Sequence, residues 1–374
     1  MTVWIRTSAE LERFVASLPG CRAIALDTES DSLHHHFEKV CLVQVATDGG
    51  DARLVDPLAL RDLAPLGPLL ADPKIAKVLH GADYDVTTLK RDFGFRFEGL
   101  FDTMIAARFL GVAAFGLQAL LQAELGVELS KSSQKDDWSR RPLTPTQEAY
   151  ALADVAHLLP LKDRLVEKLR AAGRLEWVRE ECDAVAALEP ARRRDGPDAY
   201  QRIKGAKALA PRSLALLREL HAWREGQAAA TDTPAFRIIS SEALLALAQA
   251  CPRTQEDVKR VRGVPARVRS NAASLLEAVR RGEDVAEDQL PSFPRGERPR
   301  VPEAVRQRVE RLRTWRAREA QSLGLDVAIV LPQRLLDRVA EQPPRAPEDL
   351  AAIDGIRRWR VEALGAGIVA ALLS

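Results

Sequence analysis

The sequence predicts an α/β domain followed by two small all-α domains, and three observations carry that reading. Short apolar, strand-like segments alternate with helical ones over roughly the first 110 residues. From about Ala82 the pattern turns mostly helical. Beyond residue 200, two helical segments of similar size repeat one another at an offset of 92 residues.

In chain order, CRAIALD, KVCLVQVAT, ARLVD and KIAKVLH read as strands, each apolar or alternating and bounded by Gly, Asp or Pro. DVTTLKRDF, DTMIAARFL, GLQALLQAEL and TPTQEAYALADVAHLLPLKDRLVEKLRAAG read as helices. PARRRDGPDAY, residues 190 to 200, and EDVAEDQLPSFPRGERPRVP, residues 283 to 302, have the charge and Pro/Gly content of linkers. The repeat pairs Leu220 with Leu312, Trp223 with Trp315, Arg224 with Arg316, Pro252 with Pro344 and Gly263 with Gly355. In each copy the Pro precedes a helix start and the Gly marks a later turn. The expected division is an α/β domain over residues 1–189, helical domains over 200–282 and 303–374, and a linker at 283–302.

At 374 residues the chain has room for several cores, and 46% apolar with 29% charged residues is the balance of a soluble globular protein. No apolar stretch approaches a membrane span, and the start, MTVWIRTSAELERF, is too charged for a secretory signal, so a cytoplasmic location is the expectation. Cys21, Cys41, Cys182 and Cys251 form no C-x-x-C pair and read as reduced thiols. Residues 1–190 carry 22 Lys and Arg against 29 Asp and Glu, a net of −7, whereas the remainder carries 33 against 24, a net of +9. That asymmetry fits a basic module holding a polyanion for an acidic, metal-dependent site, and a solvated arginine-rich helical surface gives the same count.

The chemistry begins with AIALDTES, residues 23 to 30. Asp27 and Glu29 sit two apart on an apolar strand, so both project to one face and repel unless a cation lies between them. Next, KVLHGADYDVTTLKRDFG places His80, Asp83 and Asp85 between a strand and a helix entry, where capping alone would favour acids. Finally, TPTQEAYALADVAHLL carries Tyr150 and Asp154 at i, i+4, on one helix face beside an apolar stripe. An acid there is costly to bury without a partner.

D-x-E on a strand, H-G-A-D-Y-D before a helix and Y-x-x-x-D on a late helix resemble the three motifs of the DEDD exonuclease superfamily in its tyrosine-bearing branch. LSKSSQKDDWSRRPLTPTQEAYALADV is similar to the ribonuclease D group, and the repeats resemble the helicase-and-RNase-D C-terminal (HRDC) domain, the first copy more clearly. The resemblance implies a ribonuclease H-like mixed sheet with flanking helices over the first domain. It implies that Asp27, Glu29, Asp85 and Asp154 are metal ligands, with Asp85 preferred to Asp83 by its spacing from His80, and that Tyr150 is catalytic. His80, Lys131, Trp138 and Arg141 are the expected substrate contacts, with a structural role the stronger reading for His80. Asp102 reads as a helix N-cap near the site, and the run His34, His35, His36 as a solvated loop.

Four oxygen-donating acids without His or Cys point to Mg²⁺ or Mn²⁺ rather than zinc, and the resemblance implies two such divalent cations. Two such ions can clamp a scissile phosphate. In the family pattern Asp27 bridges them, Glu29 and Asp154 serve the nucleophile side, and Asp85 holds the other. Keeping Tyr150 as phenolate at pH 7 would cost on the order of 4 kcal/mol, so it is expected to orient a water instead. The resemblance thus implies a 3′-5′ exoribonuclease acting on RNA with a 3′ single-stranded end, transfer RNA precursors among its substrates, and releasing nucleoside 5′-monophosphates; a monomer is the expected assembly. A DNA exonuclease of the same superfamily and an inactive nucleic-acid-binding scaffold built on the repeats are the competing readings.

Overall fold

The computed structural model describes residues 3–60, 62–129, 133–190, 196, 198–293 and 302–373. These form two compact units. One takes in the residues up to Ser30, Val40–Pro190 and the described residues from Pro302 onward; the other comprises Asp31–Lys39 and those between Gly196 and Phe293.

The first unit is built on six strands: β1 (Trp4–Ile5), β2 (Ala23–Ser30), β3 (Val40–Thr47), β4 (Ala52–Val55), β5 (Ala76–Leu79) and β6 (Leu100–Asp102). Their order is β1-β4-β3-β2-β5-β6. β2 and β4 run antiparallel to β3, while β1/β4, β2/β5 and β5/β6 are parallel, which makes the sheet mixed. The four expected strands are present. β1 and β6 are additional: two or three residues are too few for a period to register.

Why β2 carries the acids where it does follows from its burial. Ala23 to Leu26 are buried between the two faces, and from Asp27 onward the strand is half-exposed. It runs beyond the apolar stretch to Ser30, with a bulge between Glu29 and Ser30. Helix Asp83–Phe93 follows β5 and stops at Gly94, whose φ of 69° suits a residue without Cβ. Helix Pro145–Ala156 starts at Thr144, whose side chain accepts from Gln147 N at 3.3 Å while Gln147 Oε1 accepts from Thr144 N at 2.9 Å. It packs across β2, β3 and β4.

The second helical repeat shares the core of this unit. Trp359, at the start of helix Arg358–Leu373, stacks on Trp177 with ring centroids 4.6 Å apart, and Phe109 meets it edge-on at 5.4 Å. Arg360 is buried and pairs with Glu181 at 2.7 Å, while Arg358 reaches Glu180 at 3.1 Å. The first repeat has Arg267 and Val268 at the corresponding positions, so this docking chemistry belongs to the second copy.

The second unit packs helix Pro211–Ala230 against Ser241–Ala250 and Ala273–Glu283 around Leu217, Leu220, Leu244 and Val279. Gly263 and, in the other copy, Gly355 have φ of 85° and 90°, as the repeated turn requires. The histidine run is less solvated than expected. Asp232 accepts from His35 Nδ1 at 2.7 Å and from the His36 and Phe37 amides at 3.1 and 3.0 Å, which fixes the loop within this unit. Among the described residues no helix is long and apolar enough to cross a membrane.

Candidate active site

Three elements of the first unit bring the motif residues together. β2 supplies Asp27 and Glu29, and helix Pro145–Ala156 supplies Tyr150 and Asp154 one turn apart. Carboxylate oxygens of Asp27, Glu29 and Asp154 all lie within 4.8 Å of one another. Asp85 enters from helix Asp83–Phe93, stands outside that tight trio, and accepts a hydrogen bond from Thr28 Oγ1. Its neighbour in sequence, Asp83, is exposed in the first helical turn. The helical phase thus sends Asp85 inward and leaves Asp83 exposed.

The position of Asp85 depends on Asp102. That buried carboxylate caps helix Thr103–Phe109 through Met104 N at 2.7 Å, and also accepts from Gly81 N at 3.0 Å and Ala82 N at 2.8 Å. It therefore ties the turn before Asp85 to β6. The N-cap reading is borne out, and the second role explains why a buried acid is tolerated there. His80 Nδ1 lies 2.9 Å from Thr103 Oγ1, and burial lowers its pKa, which keeps the ring neutral.

The electrostatics of the acids are those of a site short of positive charge. Burial first, then Asp85, Glu29 and Asp154, hold Asp27 well above the usual carboxylate range. Burial and the neighbouring acids push Glu29 up to about 9. Burial raises Asp85 and Asp154 to about 6, against the opposing pull of Thr28 on the first and Tyr150 on the second. Tyr150 is raised by burial and by Asp154, so it is a phenol at neutral pH. Clustered carboxylates resist ionisation without a counter-charge, and a divalent cation with a preference for oxygen supplies it. The donor set therefore fits such a group.

The site opens into a cavity of about 840 Å³ lined by Asp27, Glu29, His80, Tyr150 and Asp154. Gly116, Gln118, Gln122 and Leu129 also line this cavity, a contribution the motifs do not point to. Its signal was present in GLQALLQAEL, where Gln118 and Gln122 share a face at i, i+4.

Two expected substrate contacts are instead structural. Trp138 is 1% exposed, packed in a cluster with Leu42, Leu54 and Ala151, with its ring centroid 6.1 Å from that of Tyr150. Arg141 forks onto buried Asp56, with both bonds at 2.8 Å, and donates to the carbonyls of Cys41 and Trp138, so its guanidinium is spent on anchoring this segment to the sheet. Lys131 lies outside the described residues.

Comparison with known proteins places this geometry. Residues 2–170 match the 3′-5′ exonuclease family, and residues 213–279 and 305–372 each match the HRDC domain. The ribonuclease D of Pseudomonas paraeruginosa is 34% identical over 380 residues, covering 99% of this chain and 97% of its own length. The chain belongs to the ribonuclease D family. It is a ribonuclease D-like 3′-5′ exoribonuclease, a hydrolase of phosphodiester bonds, and the fold implies dependence on divalent metal. The ribonuclease D of Haemophilus influenzae is 33% identical and is covered to 79% of its length. Among solved structures, Escherichia coli RNase D, described as an exoribonuclease involved in structured RNA processing, superposes with a TM-score of 0.71 at 26% identity over 100% of this chain and 99% of that one. The catalytic core of RRP6 from Trypanosoma brucei gives 0.67 at 30% identity over 75% and 79% of the two chains.

Proposed function

We propose that this ribonuclease D-family chain shortens RNA from the 3′ end by two-metal hydrolysis and releases nucleoside 5′-monophosphates. The observation that carries the reading is the convergence of Asp27, Glu29 and Asp154 within 4.8 Å, on the floor of a cavity that Tyr150 also lines. Asp27, Glu29, Asp85 and Asp154 would hold the cations, with Asp27 as the shared ligand, Glu29 and Asp154 serving the nucleophile side and Asp85 the other. All four offer oxygen, which suits Mg²⁺ or Mn²⁺. When bound, such cations supply charge stabilisation at the phosphate and lower the pKa of the attacking water.

The chain's own residues do the rest. Tyr150 keeps its proton, so its hydroxyl acts by holding the water in line rather than as a base. Asp154, one turn along, fixes that hydroxyl. Neutral His80 lines the cavity without adding charge and serves as a substrate contact. Lys131 is assigned to substrate on its position in the motif stretch.

The substrate class is RNA with a 3′ single-stranded end, transfer RNA precursors and other structured RNAs included, handled by a cytoplasmic monomer. The role of the Escherichia coli relative in structured RNA processing supports it. Residues 1–189 are the nuclease domain, 200–282 and 303–374 the HRDC domains, and 283–302 the linker. A time course on 5′-labelled single-stranded RNA and its DNA counterpart, with Mg²⁺, Mn²⁺ or EDTA, tests this reading. A metal-dependent ladder shortening from the 3′ end, faster on RNA, is the expected result; no shortening of either strand, or equal shortening of both, overturns it.

A further inference from the structure

Gln44 lies in β3 directly across from Asp27 on β2, and across from Leu54 on β4. Residues paired in this way share a face of the sheet. Gln44 therefore belongs to the face that carries the acids, where Leu42, Leu54, Trp138 and Ala151 form a buried cluster. Its side chain is fully buried, and among the described residues neither the amide oxygen nor the amide nitrogen has a hydrogen-bond partner. Trp138 Nε1, which belongs to that cluster, is also buried without a partner among the described residues.

Packing gives no reason for an amide here. The flanking positions on this face are Leu42 and Leu54, and a methionine would fill much the same space without unpaired polar atoms. An amide buried with both ends unmet is costly, and such groups persist where another state of the protein uses them.

We infer that Gln44 is a positioning residue for Asp27: in the cation-loaded site its NH₂ donates to the Asp27 carboxylate while its carbonyl accepts the Trp138 indole N–H. The hydrogen-bonding senses agree at every step. Indole only donates, the amide both accepts and donates, and an ionised carboxylate only accepts. A directly opposed pair places its Cβ atoms about 5 Å apart, a gap a glutamine side chain spans. Asp27 is ionised when it ligates a cation, and a donor aimed at its remaining lone pairs fixes which way they point. The inference rests on the two-metal reading above, because it assigns Gln44 to the acid that both ions share. It also gives buried Trp138 a part in the site that its lack of exposure denies it as a substrate contact.

Gln44→Met and Trp138→Phe, made in the full chain, test it by three readouts. These are the thermal midpoint in EDTA, the Mn²⁺ dissociation constant by calorimetry, and the rate of RNA shortening across Mn²⁺ concentrations. Gln44→Met is expected to keep or raise the EDTA midpoint, because it removes an unmet amide. It should weaken Mn²⁺ binding roughly tenfold or more, and its RNA shortening should recover as Mn²⁺ is raised. Trp138→Phe should move binding in the same direction by less. A change of under threefold in the Mn²⁺ constant, or a fall in the EDTA midpoint of Gln44→Met, overturns the inference, since a fall would mean the apo fold already uses the amide. Should Gln44→Met fail to fold, Trp138→Phe decides by the same threshold relative to wild type. A wild-type chain that neither binds Mn²⁺ nor shortens RNA refutes the functional reading itself. A wild-type chain that does both while Gln44→Met behaves like it refutes only the role of Gln44.

Discussion

Loading the site with cation should expel protons, and the number follows from the four carboxylates. At pH 6, Glu29, pushed up to about 9, is fully protonated, while Asp85 and Asp154, at about 6, are each half protonated. Ligation requires all of them ionised. Treated independently, these three release about 2 protons per site at pH 6 and about 1 at pH 8, where only Glu29 still holds one. Asp27, raised by burial and by its three acidic neighbours, adds up to one more at either pH. Counting Glu29, Asp85 and Asp154 alone, the apparent association constant should rise at least on the order of 300-fold from pH 6 to pH 8, and further by whatever Asp27 releases. Calorimetric titration of the metal-free chain with Mn²⁺, in buffers of different ionisation heat at both pH values, reads proton release and affinity together. Release below half a proton at pH 6, or an affinity unchanged between the two, would show that the acids are already ionised or face solvent, and would sink the electrostatic account of the site.

Other consequences can be measured on the same material. Tyr150→Phe should keep Mn²⁺ and RNA affinity within a few-fold while turnover falls by about 10² or more; an equal loss of binding would place the hydroxyl in substrate or metal affinity instead. Asp27→Asn should abolish metal-dependent shortening with circular dichroism unchanged, and retained cleavage in Mg²⁺ would contradict its role as shared ligand. In EDTA the fold itself should be pH-sensitive: the folded value of Glu29, about 9, exceeds its ordinary 4.5, so its contribution is intact below pH 4.5 and lost as pH rises through 9. Thermal midpoints taken across that range with and without Mg²⁺ check the sign. Arg360→Ala removes the buried partner of Glu181 and should cost about 3 kcal/mol by urea unfolding; a loss under 1 kcal/mol would show that the Arg360–Glu181 pair adds little to the docking of the second repeat.

Much of the acid set was legible because its signals are local. Asp27 and Glu29 share a strand face, Tyr150 and Asp154 share a helix face, and the preference for Asp85 over Asp83 rests on its spacing from His80 in the family motif. For the opposite reason, Trp138 and Arg141 look like substrate contacts in the sequence and prove structural in the fold. A Trp and an Arg near a motif have the chemistry to touch RNA, and only the sheet beneath shows that one is buried and the other locked to Asp56, 85 residues away. The cavity wall at Gln118 and Gln122 and the unmet amide of Gln44 are likewise products of packing.

By itself the sequence determined the α/β-then-helical plan, the 92-residue repeat, the spacing of the acids and the Asp102 cap, since periodicity, charge spacing and turn chemistry act over a few residues or repeat along the chain. Only the tertiary structure decided how close the acids come, which of them resist ionisation, and that the second repeat completes the core of the nuclease unit while the first belongs to the other unit. The two repeats have nearly the same local pattern, and what separates them is Trp359 and Arg360 meeting Trp177 and Glu181 across a distance in sequence that no local signal spans.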